Sequence, residues 1–221
     1  MLTEYVLASG NPGKLREITA LLQPLGFVIR PQSDWHIQEA EETASTFIEN
    51  ALIKARHAAA YTDMPAIADD SGLVVPALNG EPGIFSARYA GHAADASANI
   101  DKLLNELGKT PGLNRQAYFF CAIVLLESAS DPAPLLATAR WHGEILPTPR
   151  GQGGFGYDPV FGVGDSCVSA AEHKAEEKYQ ISHRGKALKK LLKLLNKHDD
   201  GFNRNPTGFA TVEPVRTHAL V

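Results

Sequence analysis

The chain has 221 residues, 44% apolar and 21% charged, with a formal net charge of −4, enough length for one large core or two lobes in an ordinary globular composition. Net negative charge argues against a general nucleic-acid coat, so any anion site must be local, and two cysteines make neither a disulfide framework nor a zinc cage. No apolar run reaches membrane-spanning length and no signal-like stretch follows Met1, which leads us to expect a cytoplasmic protein without membrane association.

Tyr5-Val6-Leu7-Ala8 reads as a buried strand that runs into a turn at Ser9-Gly10-Asn11. Asn11 suits a helix cap and Pro12 the first helical position. Leu15, Ile18, Leu22 and Leu25 keep helical spacing as far as Gly26, and Phe27-Val28-Ile29 resumes as a strand. This strand–helix–strand opening predicts an α/β fold. Thr46 starts a Thr-x-x-Glu capping box, and Phe47, Ala51, Lys54, Ala55 and Ala58 line one face of a helix through about residue 61. Ala66-Ile67-Ala68 reads as a short strand ending at an Asp69-Asp70-Ser71-Gly72 turn, with Leu73-Val74-Val75 extended beyond it. A helix is expected over 96–107. Residues 118–126 are apolar on both faces and should form a central strand. Residues 135–145 read as its hairpin neighbour, with Arg140 and His142 on one face and Trp141 on the other. A glycine-rich segment occupies 151–159. Leu188, Leu191, Leu192 and Leu195 build the last helix, and from His198 onward the pattern dissolves into a loose tail.

Ser182-His183-Arg184-Gly185-Lys186 opens that last helix with three potential cations, where the helix amides already leave partial positive charge. The simplest remedy is an anion from outside the chain. The first helix repeats the pattern, with Lys14 in its opening turn. Two such openings, with Glu39, Glu41, Glu42, Asp69 and Asp70 between them, predict a phosphorylated substrate held with a metal. Adjacent strand residues face opposite sides, so one of Asp69 and Asp70 should face the ligand while the other braces the turn. The plainer readings make the glutamate run a solvated face, Lys14 a surface residue paired with Glu17, and Lys178 solvated. Residues 151–156 spell Gly-x-Gly-x-x-Gly, but a turn follows instead of a helix, so this is not a dinucleotide fingerprint. Residues 10–14 are too short for a P-loop. The glycines of 151–156 allow close approach to a flat ligand. Phe155 or Tyr157 would stack on a base, and Asp158 would accept from its edge or brace the loop; the competing reading is a tight hairpin with two core aromatics.

Six ordered motifs then point to a family. They are Ser9-Gly10-Asn11-x-x-Lys14-x-x-Glu17, Thr46-Phe47-x-Glu49-Asn50-Ala51-x-x-Lys54-Ala55, Ala68-Asp69-Asp70-Ser71-Gly72-Leu73, Pro82-Gly83-x-x-Ser86-Ala87-Arg88-Tyr89, Gly154-Phe155-Gly156-Tyr157-Asp158-Pro159-x-Phe161 and Ser182-His183-Arg184-Gly185-Lys186-Ala187. Over about 3–197 the chain resembles the noncanonical purine nucleoside triphosphate pyrophosphatases, the inosine/xanthosine triphosphate (Ham1/RdgB-like) family. The resemblance implies an α/β protein of two lobes around a long central mixed β-sheet with flanking helices and an active-site cleft between the lobes. It implies a single domain over 1–197 and a homodimer, and says nothing about the loose tail at 198–221. It implies Mg²⁺-dependent hydrolysis of ITP, dITP and XTP to the monophosphate and pyrophosphate, cleansing the nucleotide pool.

Residue by residue, Ser9, Gly10, Asn11, Pro12, Gly13 and Lys14 match the family's phosphate-binding loop. Asp70 matches the general base and metal-site residue. Glu42 matches the metal-associated glutamate, with Glu41 an alternative register. Ser71, Phe155, Gly156, Tyr157, Asp158, Lys178, His183 and Arg184 match substrate-binding positions. Donors from Lys178, His183 or Arg184 aimed at a purine C6 carbonyl would reject adenine. The rival readings are a Maf-like pyrophosphatase for modified pyrimidines, a non-catalytic nucleotide-binding module, and a structural α/β protein with decorative charges. The −4 net charge gives no footprint for direct nucleic-acid binding.

Overall fold

The computed structural model describes residues 4–91, 95–110 and 112–199; the last helix takes in His198 and Asp199, where the sequence predicts the start of a loose tail, and the rest of that tail lies outside the described residues. Strand β1 (Glu4–Leu7) pairs in parallel with β2 (Val28–Pro31) on one side and with β3 (Ala66–Val74) on the other. Pairing is antiparallel from there on, through β4 (Gln116–Leu126), β5 (Leu135–Ile145), β6 (Phe161–Val163) and β7 (Val168–Ser169). The result is the expected mixed α/β sheet, seven strands in the order β2-β1-β3-β4-β5-β6-β7. Parallel neighbours need crossover connections. Helix α1 (Pro12–Leu22) supplies the link from β1 to β2, and α2 (Phe47–Thr62) the link from β2 to β3.

Helix α1 is shorter than its leucine spacing predicts. A 3₁₀ turn takes over at Gln23–Leu25, where Pro24 removes a backbone donor, and Leu25 is exposed. Gly26, with φ of 87°, closes the element. Helix α2 carries the predicted cap: Thr46 Oγ1 accepts from the Glu49 amide at 3.2 Å. Ala51, Ala55 and Ala58 are fully buried, and these small side chains let α2 lie close on β3 and β4.

Strand β3 departs most from expectation. Asp69-Asp70-Ser71-Gly72 forms no turn; it is the middle of an unbroken nine-residue strand, with Asp69 opposite Ile123, Asp70 opposite Ala122 and Gly72 opposite Phe120. Gly72 has a packing reason. A Cβ there would strike Ser86 Oγ and fall 2.5 Å from the Gly83 carbonyl oxygen, because the 3₁₀ turn Gly83–Arg88 lies directly on the strand.

The core divides along the long strands. One apolar cluster joins Leu7, Ile18, Ile67 and Ile123 to Leu188 and Leu191 of helix α5 (His183–Asp199), and a second lies under α2 on the opposite face. A third wraps the other half of β3, β4 and β5, where Leu73, Phe119, Trp141 and Phe161 meet Leu103 and Leu107 of α3 (Ala96–Gly108). The two lobes therefore share their strands. Helix α4 (Ala175–Ile181) precedes α5, with Ser182 between them. No described helix is long and apolar enough to cross a membrane.

Candidate active site

A cleft of about 740 Å³ opens where the start of α1, the acidic loop before α2, the middle of β3, the 83–88 turn, the glycine loop and the junction of α4 with α5 converge. It is lined by Ser9, Gly10, Asn11, Lys14, Glu42, Asp70, Ser71, Phe155, Gly156, Tyr157, Asp158, Lys178, His183 and Arg184. Pro12 and Gly13 stand just behind, in the first turn of α1. Asn11 caps that helix with its own side chain, whose Oδ1 accepts from the Gly13 amide at 2.8 Å and the Lys14 amide at 3.1 Å. Those two amides are thus already engaged. Gly13 also lets the glycine loop approach: a Cβ there would lie 2.7 Å from the Phe155 ring.

The cations at the two helix openings are not left for an outside anion, which corrects the expectation from the helix dipole. Arg184 donates to Asp69 Oδ2 at 3.1 Å, to Ser71 Oγ at 2.9 Å and to Glu17. His183 is no cation. Burial and the adjacent Arg184 charge hold its imidazole well below the usual range. It stacks on Phe119 with centroids 4.7 Å apart, and its Nδ1 is buried without a hydrogen-bond partner among the described residues. Lys186 faces outward. Lys14 pairs with Asp69 Oδ1 at 2.6 Å rather than with Glu17. Lys178, far from solvated, is buried between Glu17 at 2.9 Å and Asp158 at 2.7 Å.

Asp69 and Asp70 face opposite ways, and only Asp70 lines the cleft. Asp69 is fully buried and also accepts from Ser71 Oγ and Cys121 Sγ, each at 3.0 Å. Burial alone would raise its pKa, but Arg184 and Lys14 hold the carboxyl well below the ordinary range. On the other face Lys54 bridges Asp70 Oδ1 at 2.7 Å and Glu42 at 3.0 Å, and Arg88 donates to Glu42 at 2.9 Å. Burial raises the Asp70 pKa in spite of Lys54, and its Oδ2 is buried with no partner among the described residues. Burial pushes Glu42 up too, but Lys54 and Arg88 outweigh it and bring that carboxyl down to about 2. Glu41 is exposed, so it is Glu42 that shares a lysine with Asp70.

In the glycine loop, Tyr157 takes the core role, buried with its hydroxyl donating to the Ser86 carbonyl at 2.9 Å. Asp158 is a brace, accepting from the Phe155 amide at 2.7 Å as well as from Lys178. Phe155 is the aromatic left facing the cleft, with Lys178 Nζ 5.0 Å from its centroid. Gly156, with φ of 61°, makes the turn between Phe155 and Tyr157. Sequence reasoning missed the roles of Glu17, Lys54 and Arg88. A lysine inside the alanine stripe of α2 is the available signal for Lys54; Glu17 reads locally only as a surface partner of Lys14, and Arg88 carries no local chemical signal.

Lys14, Lys54, Arg88, Lys178 and Arg184 are matched by Glu17, Glu42, Asp69, Asp70 and Asp158. The cleft has no surplus of positive charge, since Glu39 and Glu41 also line it.

Comparison with known proteins shows which family the chain resembles. The model described as the Ham1 family matches residues 5–194. A Legionella pneumophila (strain Lens) protein named dITP/XTP pyrophosphatase is 53% identical over 194 residues, covering 88% of this chain and 99% of that protein. One of the same name from Idiomarina loihiensis is 53% identical over 196 residues, 87% of this chain and 97% of its own. The solved structure of a HAM1 protein from Coxiella burnetii superposes with a TM-score of 0.82 at 49% identity, covering 88% of this chain and 99% of that one.

Proposed function

The chain belongs to the Ham1 family, and from that premise we infer that it hydrolyses noncanonical purine nucleoside triphosphates, dITP, XTP and ITP, to the nucleoside monophosphate and pyrophosphate. The observation that carries the reading is a single cleft lined both by Asp70, whose buried Oδ2 has no partner among the described residues, and by the aromatic ring of Phe155, with lysines beside each. In the same reading, residues 1–197 act as one two-lobed unit and the protein works as a homodimer.

A divalent metal fits these residues. Each lysine and arginine of the cleft is already paired with a carboxylate, so a triphosphate finds no surplus of cations, and Asp70 Oδ2 lacks a partner among the described residues. No group of three or more metal-ligating side chains exists among the described residues. Mg²⁺ needs only one or two carboxylates beside substrate phosphates, which Glu42 and Asp70 would provide. Bound there, it would supply the positive charge that phosphoryl oxygens require in the transition state.

The chain's own groups do the rest. Asp70 acts as general base toward the water that attacks the α-phosphorus, and its raised pKa suits that work better than an ordinary aspartate's. Lys54 holds one carboxylate oxygen and leaves the other for the water. Lys14 stands at the opening of α1 to meet charge on the departing pyrophosphate. Phe155 stacks on the base. Lys178 has two of its three ammonium hydrogens engaged and keeps one for a C6 carbonyl, beside the unpartnered His183 Nδ1. Adenine, with an amino group at C6, would leave such a donor unpaired. Arg184 supports this from behind, through its bonds to Glu17, Asp69 and Ser71. A pyrophosphate-release panel over dITP, XTP, ITP, GTP, ATP and modified pyrimidine triphosphates, with Mg²⁺, tests the assignment. High efficiency is expected on the first three; comparable efficiency on ATP, or a preference for pyrimidines, contradicts it.

A further inference from the structure

We propose that Glu39 is a selectivity residue that opposes binding of bare polyphosphate at the opening of α1, so that the cleft favours the metal-complexed form. The proposal rests on the reading of this cleft as a polyphosphate site. Glu39 belongs to the acidic loop before α2, and its carboxylate lies directly over the α-carbon of Gly10. A Cβ on Gly10 would strike Glu39 Oε1 and fall 3.0 Å from the carboxyl carbon. Gly10, Lys14 and Glu39 line the same cleft. Glu42, three residues on, is neutralised by Lys54 and Arg88, whereas no lysine or arginine forms an ion pair with Glu39 among the described residues.

This placement has an electrostatic consequence. A helix opening attracts anions, and Glu39 brings one from within the chain to the mouth of that opening. An incoming phosphate must approach a carboxylate at close range. Lys14, the nearest cation of α1, is already paired with Asp69. The cleft offers no surplus of positive charge to offset the repulsion. A polyphosphate that carries its own divalent ion has less charge to be repelled, and so loses less. Glu39 therefore shifts preference from free to metal-bound ligand without touching the reacting atoms.

Isothermal titration of the full chain with inorganic pyrophosphate in EDTA tests this. Glu39→Gln should bind pyrophosphate roughly three- to tenfold more tightly than the native protein at low ionic strength. The gap should close as salt is raised, and should be smaller with Mg²⁺ present. Glu4→Gln removes the same charge from an exposed position outside the cleft lining and should change nothing. An unchanged or weaker dissociation constant in Glu39→Gln overturns the proposal, as does equal tightening in Glu4→Gln, which would make the effect one of bulk charge. Weaker Mg²⁺-pyrophosphate binding in Glu39→Gln would make the residue a metal ligand, and also overturns it. Turnover of dITP by the native protein, measured alongside, keeps the two readings apart. Its absence would refute the enzymatic assignment, while the binding comparison still judges Glu39.

Discussion

Adjacent on one strand and both buried, Asp69 and Asp70 are pushed in opposite directions by their partners. Asp69 meets two cations, Lys14 and Arg184, and stays ionised as a brace; Asp70 shares one lysine with Glu42, and burial prevails. If Asp70 is the base, Asp70→Asn should lower kcat by about 10²- to 10⁴-fold with little change in KM. Steady-state kinetics on dITP would show it, and equal losses in both parameters would undo the assignment. His183 gives a prediction about stability. Its folded pKa is depressed, so between that value and an unfolded pKa of about 6.5 the unfolded chain holds the extra proton. Its contribution is complete above about 6.5 and is lost as pH falls below it, by up to about 1.4 kcal/mol per pH unit. Urea unfolding across pH 7 to 5 should show that slope in the native protein and a flatter one in His183→Phe, which keeps an aromatic ring on Phe119. Identical slopes would mean that His183 protonates without penalty.

Elements with local causes were legible. The cap at Thr46, the helical spacing of α1 and α2, the doubly apolar β4 and the alternation of β5 each follow from residues within one or two turns. The middle of β3 was not legible, because Asp-Asp-Ser-Gly carries every local mark of a turn. What keeps it extended is distant: Arg184 reaches Asp69 across 115 positions of sequence, and Ser86 and Gly83 pack on Gly72. The same limit hid the partners of Lys178 and Arg184. Glu17, their common carboxylate, lies 161 and 167 positions away. Gly72→Ala tests the packing of this element. Overpacking against the 83–88 turn should cost about 1–3 kcal/mol, read by chemical denaturation. An unaltered midpoint would show that the turn yields freely.

At the scale of the whole molecule, strands shared between two lobes bring six chain segments to one cleft, and the carboxylates there leave its lysines and arginines no surplus charge. On the proposed reading, such a cleft takes a metal for catalysis but not for folding. EDTA should therefore abolish dITP turnover and leave the circular dichroism spectrum and the unfolding midpoint unchanged, with Mg²⁺ restoring activity. A shifted midpoint would indicate a structural ion. The cleft was partly readable beforehand, since Lys14, Asp70, Phe155 and Arg184 do meet there as the motifs implied. Its lack of surplus positive charge was not, because that depends on how separated segments pair. The central claim is that water, activated at Asp70, attacks the α-phosphorus. The most direct measurement is dITP turnover in heavy-oxygen water, with both products analysed by mass spectrometry. The label should enter dIMP alone, with unlabelled pyrophosphate; label in the pyrophosphate, or release of orthophosphate in its place, would contradict the account.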